Sequence, residues 1–367
     1  MAKYIHQQPD WPEFTWDNEV ILPALSNVRH RQGRLRGYME VLGFTLRNET
    51  TLQTLTSDVL KSSEIEGELL NREQVRSSIA RHLGMDVAGL IPSERNVDGI
   101  VEMMLDATQH YKKTLSKERL FSWHSALFPA GRSGMQKITV GNWRNSENGP
   151  MQVVSGAMGK EKVHYEAPEA NRLKKEMKLF LDWFNTDHSI DDVLKSAIAH
   201  FWFVTIHPFD DGNGRIARAI ADMQLAKADK DHQRFYSMSA QIRLARKSYY
   251  DILEKTQKGK VDITEWLAWF LLCMDKALNA TETVLKRVLS KMKFWDLHAH
   301  IAINERQRQL INKLFDGFDG KLTSSKWAKI AKCSPDTALR DITDLINKGF
   351  LQKAPERGRS TSYVLKE

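Results

Sequence analysis

The chain has 367 residues, of which 41% are hydrophobic and 27% charged; this is the balance of an ordinary folded protein with room for two or three domains. Its net charge of +8 suits an anionic partner such as a nucleotide or nucleic acid and carries no information on fold. The only cysteines, Cys273 and Cys333, form no CxxC pair, which excludes a disulfide framework or a cysteine zinc site; with no signal-peptide core in the first residues and no apolar run of membrane-spanning length, a cytoplasmic protein is expected.

Residues 1–20 read as an extended arm that packs Trp11, Phe14 and Trp16 onto a later part of the chain. From residue 19 the apolar positions Leu22, Leu25, Val28, Leu35, Tyr38 and Leu42 recur at threes and fours, which predicts a helix. Glu49, Thr50 and Thr51 mark a break, and a second helix follows from about Leu52 to Ser62. The acidic run Ser62-Ser63-Glu64-Ile65-Glu66-Gly67-Glu68 comes next. Gly67 is a helix stop, since glycine takes the left-handed cap at little cost. Glu66 then sits at the negative end of the helix dipole, where a carboxylate is unfavourable. Either the turn is solvated or Glu66 has a cationic partner elsewhere.

Helices are expected over 71–83, 93–115 and 117–128, with His124 of the last read as a packed histidine. Residues 130–168 are punctuated by glycines. Ile138–Val140, Met151–Val154 and Lys162–Tyr165 alternate like short strands, which predicts a small β-hairpin region inside a helical domain. Helices resume at 168–185 and 191–206, the second apolar nearly all round and therefore central. Further helices are expected from Ile216, over 237–256, 262–279 and 281–300. Residues 304–367 read as a separate module of three helices and a two-stranded basic hairpin, the pattern of a winged helix-turn-helix.

Between the central apolar helix and the helix expected from Ile216 lies His207-Pro208-Phe209-Asp210-Asp211-Gly212-Asn213-Gly214-Arg215-Ile216-Ala217-Arg218. Gly212 and Gly214 permit a tight turn and close approach of backbone to ligand. The helix that opens there offers free amides to an anion. Arg215 and Arg218 share one face at i,i+3 and suit phosphate oxygens. Asp211 is a hard oxygen ligand fit for a magnesium–nucleotide complex. His207, as a neutral imidazole, can accept a proton from an incoming hydroxyl. Phe209 is read as a core anchor, and Asn213 either bonds a phosphate or fixes the loop.

These twelve residues resemble the Fic family signature HxFx(D/E)GNGRxxR at every specified position, and the resemblance extends over about residues 95–275. It implies an all-α fold, a Fic-type helical core with a small β-hairpin flap at about 158–167. The chain then divides into an N-terminal region 1–92, a Fic core 93–300 and the winged module 301–367. It implies AMP transfer from ATP to a Ser, Thr or Tyr hydroxyl of target proteins and of the enzyme itself. His207 would be the general base and Asp211 the ligand of Mg2+, or of Mn2+. Gly212, Asn213 and Gly214 would line the anion hole, while Arg215 and Arg218 would hold the β- and γ-phosphates. Val163, His164 and Tyr165 would dock the target by strand addition. Tyr249 and Tyr250 would line the adenine pocket, with Gln257 where the family often has Asn.

Gly214, which related kinases of the family replace with lysine, favours AMP transfer over phosphorylation. Ser62-x-x-x-Glu66-Gly67 is similar to the family inhibitory motif (S/T)xxxE(G/N). The implied role is that Glu66 occupies Arg218 and bars productive ATP binding. Some family members with this glutamate also remove AMP, with the glutamate orienting water. Many form homodimers. The alternative reading is a DNA-binding regulator acting through residues 301–367, in which Lys332, Arg340, Lys348, Arg357 and Arg359 contact phosphates while Asp336, Asp341 and Asp344 oppose them.

Overall fold

The computed structural model describes residues 3–85, 89–147, 149–156, 160–186, 189–316, 318, 320–355 and 361–366. Two compact units divide at Thr281 and Glu282. Among the described residues there are fourteen α-helices and three two-stranded sheets, so the fold is all-α. None of these helices is long and apolar enough to cross a membrane.

In the first unit the arm is anchored as its aromatics suggest. Phe14 meets Phe201 and Trp202 edge-on, and the Trp11 indole donates to Glu176 at 2.9 Å. Helix α1 (Asn18–Val41) begins at Asp17, whose side chain accepts from the Glu19 amide. Helix α2 (Phe44–Ile65) runs through the expected break at 49–51. Thr50 and Thr51 remain helical because each hydroxyl donates back to the carbonyl four residues earlier, on Leu46 and Arg47; this satisfies the side chain without breaking the ladder. The true break lies at Leu42-Gly43.

Helices α3 (Arg72–His82), α4 (Arg95–Gln109) and α5 (Lys117–Leu127) follow. Strands β1 (Arg132–Ser133) and β2 (Gln136–Lys137) form one small hairpin, and β3 (Gln152–Ser155) pairs antiparallel with β4 (Lys162–Glu166) in another. The expected strand at Ile138–Val140 does not form. The Ile138 amide donates to Gly131 and the Thr139 amide to the Asp210 carboxylate, so this backbone is committed to a loop. Residues 158 and 159 of the expected flap lie outside the described residues.

Helix α6 (Leu173–Asn185) leads to α7 (Asp192–Ile206), of which Val193 to Ile206 are all buried. Helix α8 (Asn213–Asp229) packs on α7. Where one helix was expected at 237–256, Ala245 divides α9 (Met238–Leu244) from α10 (Arg246–Gln257). Where two were expected beyond 262, a single α11 (Thr264–Leu297) is found.

The second unit begins within that helix, at Glu282. It continues with α12 (Glu305–Asp316), α13 (Ser324–Ala331), α14 (Pro335–Asn347), and the antiparallel pair β5 (Leu351–Lys353) and β6 (Tyr363–Leu365). Its own core gathers Leu310, Ile311, Trp327, Ile342, Leu345 and Phe350. Arg357 and Arg359 lie outside the described residues.

Candidate active site

The turn between α7 and α8 is built by two left-handed residues. Helix α7 ends at His207 with φ of 50°, a conformation that a side-chain-bearing residue adopts only when its surroundings impose it. Arg144 imposes it. This 5%-exposed side chain donates from Nε to the His207 carbonyl at 2.8 Å and from Nη2 to the Pro168 carbonyl, and its backbone amide donates to Pro208 at 2.9 Å. Gly212, with φ of 81°, opens α8. A Cβ there would lie 2.9 Å from the Phe128 ring, so space as well as backbone angle calls for glycine.

The His207 ring is held by Nδ1, 3.1 Å from the Val204 carbonyl. A carbonyl only accepts, so the proton is on Nδ1 and Nε2 keeps its lone pair. Burial lowers the His207 pKa below the ordinary histidine value, against a small upward pull from the Val204 contact. The ring therefore stays neutral and able to accept a proton at neutral pH.

His124 is packed, as its position in an apolar helix suggests, and it also fixes the loop. Its Nδ1 accepts from the Gly141 amide at 3.2 Å, which places the proton on Nε2, directed at the Asp211 carbonyl 3.1 Å away. The ring stacks on Phe209 at 4.2 Å, and burial lowers its pKa to about 4. Phe209 is fully buried. Asn213 closes a two-way bond with the Phe209 backbone: Phe209 N–H to Oδ1 at 3.0 Å and Nδ2 to the carbonyl at 2.8 Å. Of its two expected roles, the Asn213 side chain takes that of fixing the loop.

The Asp211 carboxylate accepts from the Gly212 amide at 2.6 Å and from the Ser133 hydroxyl of β1. Asp210 is engaged by the Thr139 amide. At the start of α8 the amides of Asn213, Gly214 and Arg215 have no acceptor one turn back within the helix. Arg215 and Arg218 follow, 6% and 2% exposed. Arg215 Nε and Arg218 Nη1 are buried with no hydrogen-bond partner among the described residues. Such unmet charged donors are costly, and phosphate oxygens would meet them.

The partner missing from the acidic run is Arg218. Its Nη2 bonds Glu66 Oε1 at 2.8 Å and the Ser62 carbonyl at 2.9 Å, and its Nε donates to the Ser62 hydroxyl at 2.8 Å. Burial alone would lower the Arg218 pKa, but the Glu66 carboxylate, with Tyr249 and Tyr250, raises it on balance. Glu66 also lies over Gly214, where an added Cβ would come within 2.2 Å of Oε1. The neighbouring carboxylates find cations too: Glu68 meets Arg215 at 2.7 Å and Glu64 meets Arg243 at 3.3 Å. Arg246 of α10 donates to the Ile65 carbonyl at 2.8 Å.

This arrangement has counterparts in known proteins. A family model described as Fic/DOC family matches residues 114–225, which include the whole turn and the start of α8. The chain carries a Fic domain. A second model, a domain of unknown function (DUF4172), matches residues 4–85. The proteins named "Protein adenylyltransferase Fic" of Drosophila willistoni and Drosophila melanogaster are each 32% identical to this chain over 105 residues. That alignment covers 28% of this chain and 20% of theirs, so it spans about a fifth of their length. A Fic family protein from Desulfovibrio desulfuricans G20 is similar in structure with a TM-score of 0.51 at 21% identity, covering 94% of this chain and 96% of that one. Fic-1 from C. elegans is similar with a TM-score of 0.50 at 20% identity, covering 75% of this chain and 74% of its own. These structural likenesses bear on the fold.

The remaining residues of interest around the Fic domain differ in exposure. Tyr249 is 2% exposed, its hydroxyl 2.8 Å from His200 Nε2 and its ring among Trp266 and Trp269. Tyr250 is half-buried with Arg246 over its ring. Gln257 is buried beside Thr205. On β4, Tyr165 faces inward, donating to the Thr205 carbonyl at 2.8 Å and bonding His6 of the arm. Val163 and His164 are partly exposed, with His164 held between Ser155 and Glu254. Arg144, Ser133 and Glu68 were not singled out by sequence reasoning. Glu68 alone left a signal, as the third carboxylate of a run whose charge needed a partner.

Proposed function

We propose that this protein transfers AMP from ATP to a Ser, Thr or Tyr hydroxyl of a target protein, and that Glu66 restrains it. The observation that carries the reading is the polarity of the turn: one uncommitted imidazole nitrogen beside an anion cradle of two buried arginines with unmet donors. The names of the Drosophila relatives support the same transfer.

In this reading the first-turn amides of α8 hold the α-phosphate, with Arg215 and Arg218 on the β- and γ-phosphates. Gly214 leaves room for the phosphate chain where a side chain would fill it. Among the described residues no cluster of three metal-ligating side chains exists, so a divalent ion would rest on Asp211 together with phosphate oxygens, the usual arrangement for Mg2+. Bound there, Mg2+ would screen the charge of the phosphates. Ser133 and the Gly212 amide orient the carboxylate that would hold it. The β3–β4 pair would register the target's backbone beside His207. His207 Nε2 then accepts the proton of the target hydroxyl as its oxygen bonds to the α-phosphorus. The bond from that phosphorus to the bridging oxygen breaks, and pyrophosphate leaves. Arg144 keeps the imidazole aimed by holding the residue's own backbone.

With Glu66→Gly as the enzyme, label placed on the α-phosphate of ATP is expected to appear on protein, and label on the γ-phosphate is not. His207→Ala added to that variant is expected to remove the signal. Label transferred from the γ-position, or transfer that survives the loss of His207, contradicts the assignment.

A second reading concerns residues 282–367. They contain 17 of the chain's Lys and Arg and 10 of its Asp and Glu, a net of +7 out of +8. Two of the three carboxylates that count against nucleic acid are internally paired. Asp341 is bonded by Arg306 at 3.0 Å and Asn304 at 3.1 Å, and Asp344 by Lys348 at 2.6 Å and Gln307 at 2.7 Å. Arg340, Thr343 and Asn347 are left exposed along α14, with Asp336 at its start. This supports binding of duplex DNA by a winged-helix module. A gel shift on duplex DNA should weaken steeply as salt rises, and Arg340→Ala should lower the affinity; no shift at low salt sinks this second reading.

A further inference from the structure

Glu66 ends α2 in a turn that does more than place one carboxylate. Gly67 takes φ of 88°. The Gly67 amide bonds the Glu64 carbonyl at 3.2 Å and the Glu68 amide bonds the Ser63 carbonyl at 3.0 Å, the two bonds of a Schellman turn. This turn reverses the chain so that Glu66 and Glu68 both face the first turn and a half of α8. Glu66 Oε1 is 2.8 Å from Arg218 Nη2, and Glu68 Oε2 is 2.7 Å from Arg215 Nη1. The two arginines of the cradle are thus each met by a separate carboxylate from one short segment.

The Arg215 contact is not an incidental surface pair. The Arg215 side chain is 7% exposed, and its guanidinium lies over the Phe128 ring at 5.0 Å. Its other acidic neighbour, Asp211, stands at 4.0 Å. Glu68 therefore makes the one short ion pair recorded for this guanidinium among the described residues, and Arg215 Nε remains without a partner beside it.

We infer that Glu68 is a second inhibitory residue, standing at Arg215 in the place of a phosphate oxygen just as Glu66 stands at Arg218. The inference rests on the reading of the turn as a nucleotide cradle and extends it to the subsite before the γ-phosphate. The brake then opposes diphosphates as well as triphosphates. Removal of Glu66 alone leaves half of it in place. A partly exposed carboxylate can leave its partner at modest cost, so Glu68 tunes affinity and does not block the site outright.

Nucleotide affinity separates the two carboxylates. AMP, ADP and ATP are titrated into the full-length protein by calorimetry, for the wild type and for Glu68→Gln, Glu68→Ala and Glu66→Gly. Glu68→Gln and Glu68→Ala are expected to tighten ADP about two- to fivefold and to leave AMP unchanged. Glu66→Gly is expected to tighten ATP more than ADP. ADP affinity that is unchanged or weaker in both Glu68 variants overturns the inference, as does an equal gain for AMP. If Glu66→Gly leaves ATP affinity unchanged, it is the reading of Glu66 that fails, and the ADP result still decides the role of Glu68.

Discussion

At the scale of single residues, the chemistry depends on which nitrogen of a histidine holds its proton. His207 and His124 are both neutral, His124 fully buried and His207 only partly, and their partners sort them. His124 spends both nitrogens on backbone, one accepting from Gly141 and one donating to Asp211. His207 spends one, on Val204. Burial lowers the His207 pKa below 6.5, so the proton-accepting form persists to lower pH than for a free histidine and is lost only as pH falls through the lowered value. The rate of AMP transfer by Glu66→Gly should therefore have its acid limb below the ordinary histidine value. A limb centred at or above about 6.5 would show that a different base, or an exposed imidazole, is at work.

The proposed base, the carboxylate and the two arginines could be picked out in the sequence because all lie within twelve residues. The groups that hold them in place could not. Arg144 is 63 positions from His207 and Ser133 is 78 from Asp211, and neither stands in a pattern of spacing. Only the folded chain joins them.

At the scale of elements, helices were legible wherever an apolar stripe repeats at threes and fours, and their ends were not. The threonines at 50 and 51 suggested a break because free hydroxyls compete with the ladder. In α2 they bond the preceding turn, and the helix continues to the acidic run. That continuity matters for the site, because α2 carries Ser62 and Glu66 on one rigid element. Helices α2 and α8 meet again one turn beyond this contact, where Asp222 pairs with the fully buried Arg234, whose charge also acts on Asp58. Burial raises the Asp58 pKa to about 7, with Asp222 adding to it. Of the strands, β3, β4 and the β5–β6 pair were legible from alternation, whereas β1 and β2 are two residues each, too short for any alternation to show.

At the scale of the whole molecule, the net charge of +8 proved to be a local property. Nearly all of it belongs to the second unit, while the first, with the phosphate cradle, is almost neutral in sum. In the proposed reading the cradle would attract anions through two buried guanidinium groups and a helix N-terminus, not through the field of its unit. In the proposed reading Glu66 and Glu68, paired with Arg218 and Arg215, stand where phosphates would. The account therefore turns on Glu66. The direct measurement is transfer of α-labelled AMP to protein by the wild type and by Glu66→Gly, at equal concentration and saturating Mg2+. Loss of a charge-assisted bond to a buried arginine predicts a rise of roughly tenfold or more in the variant. Equal labelling by the two proteins would contradict the account, since Glu66 would then restrain nothing.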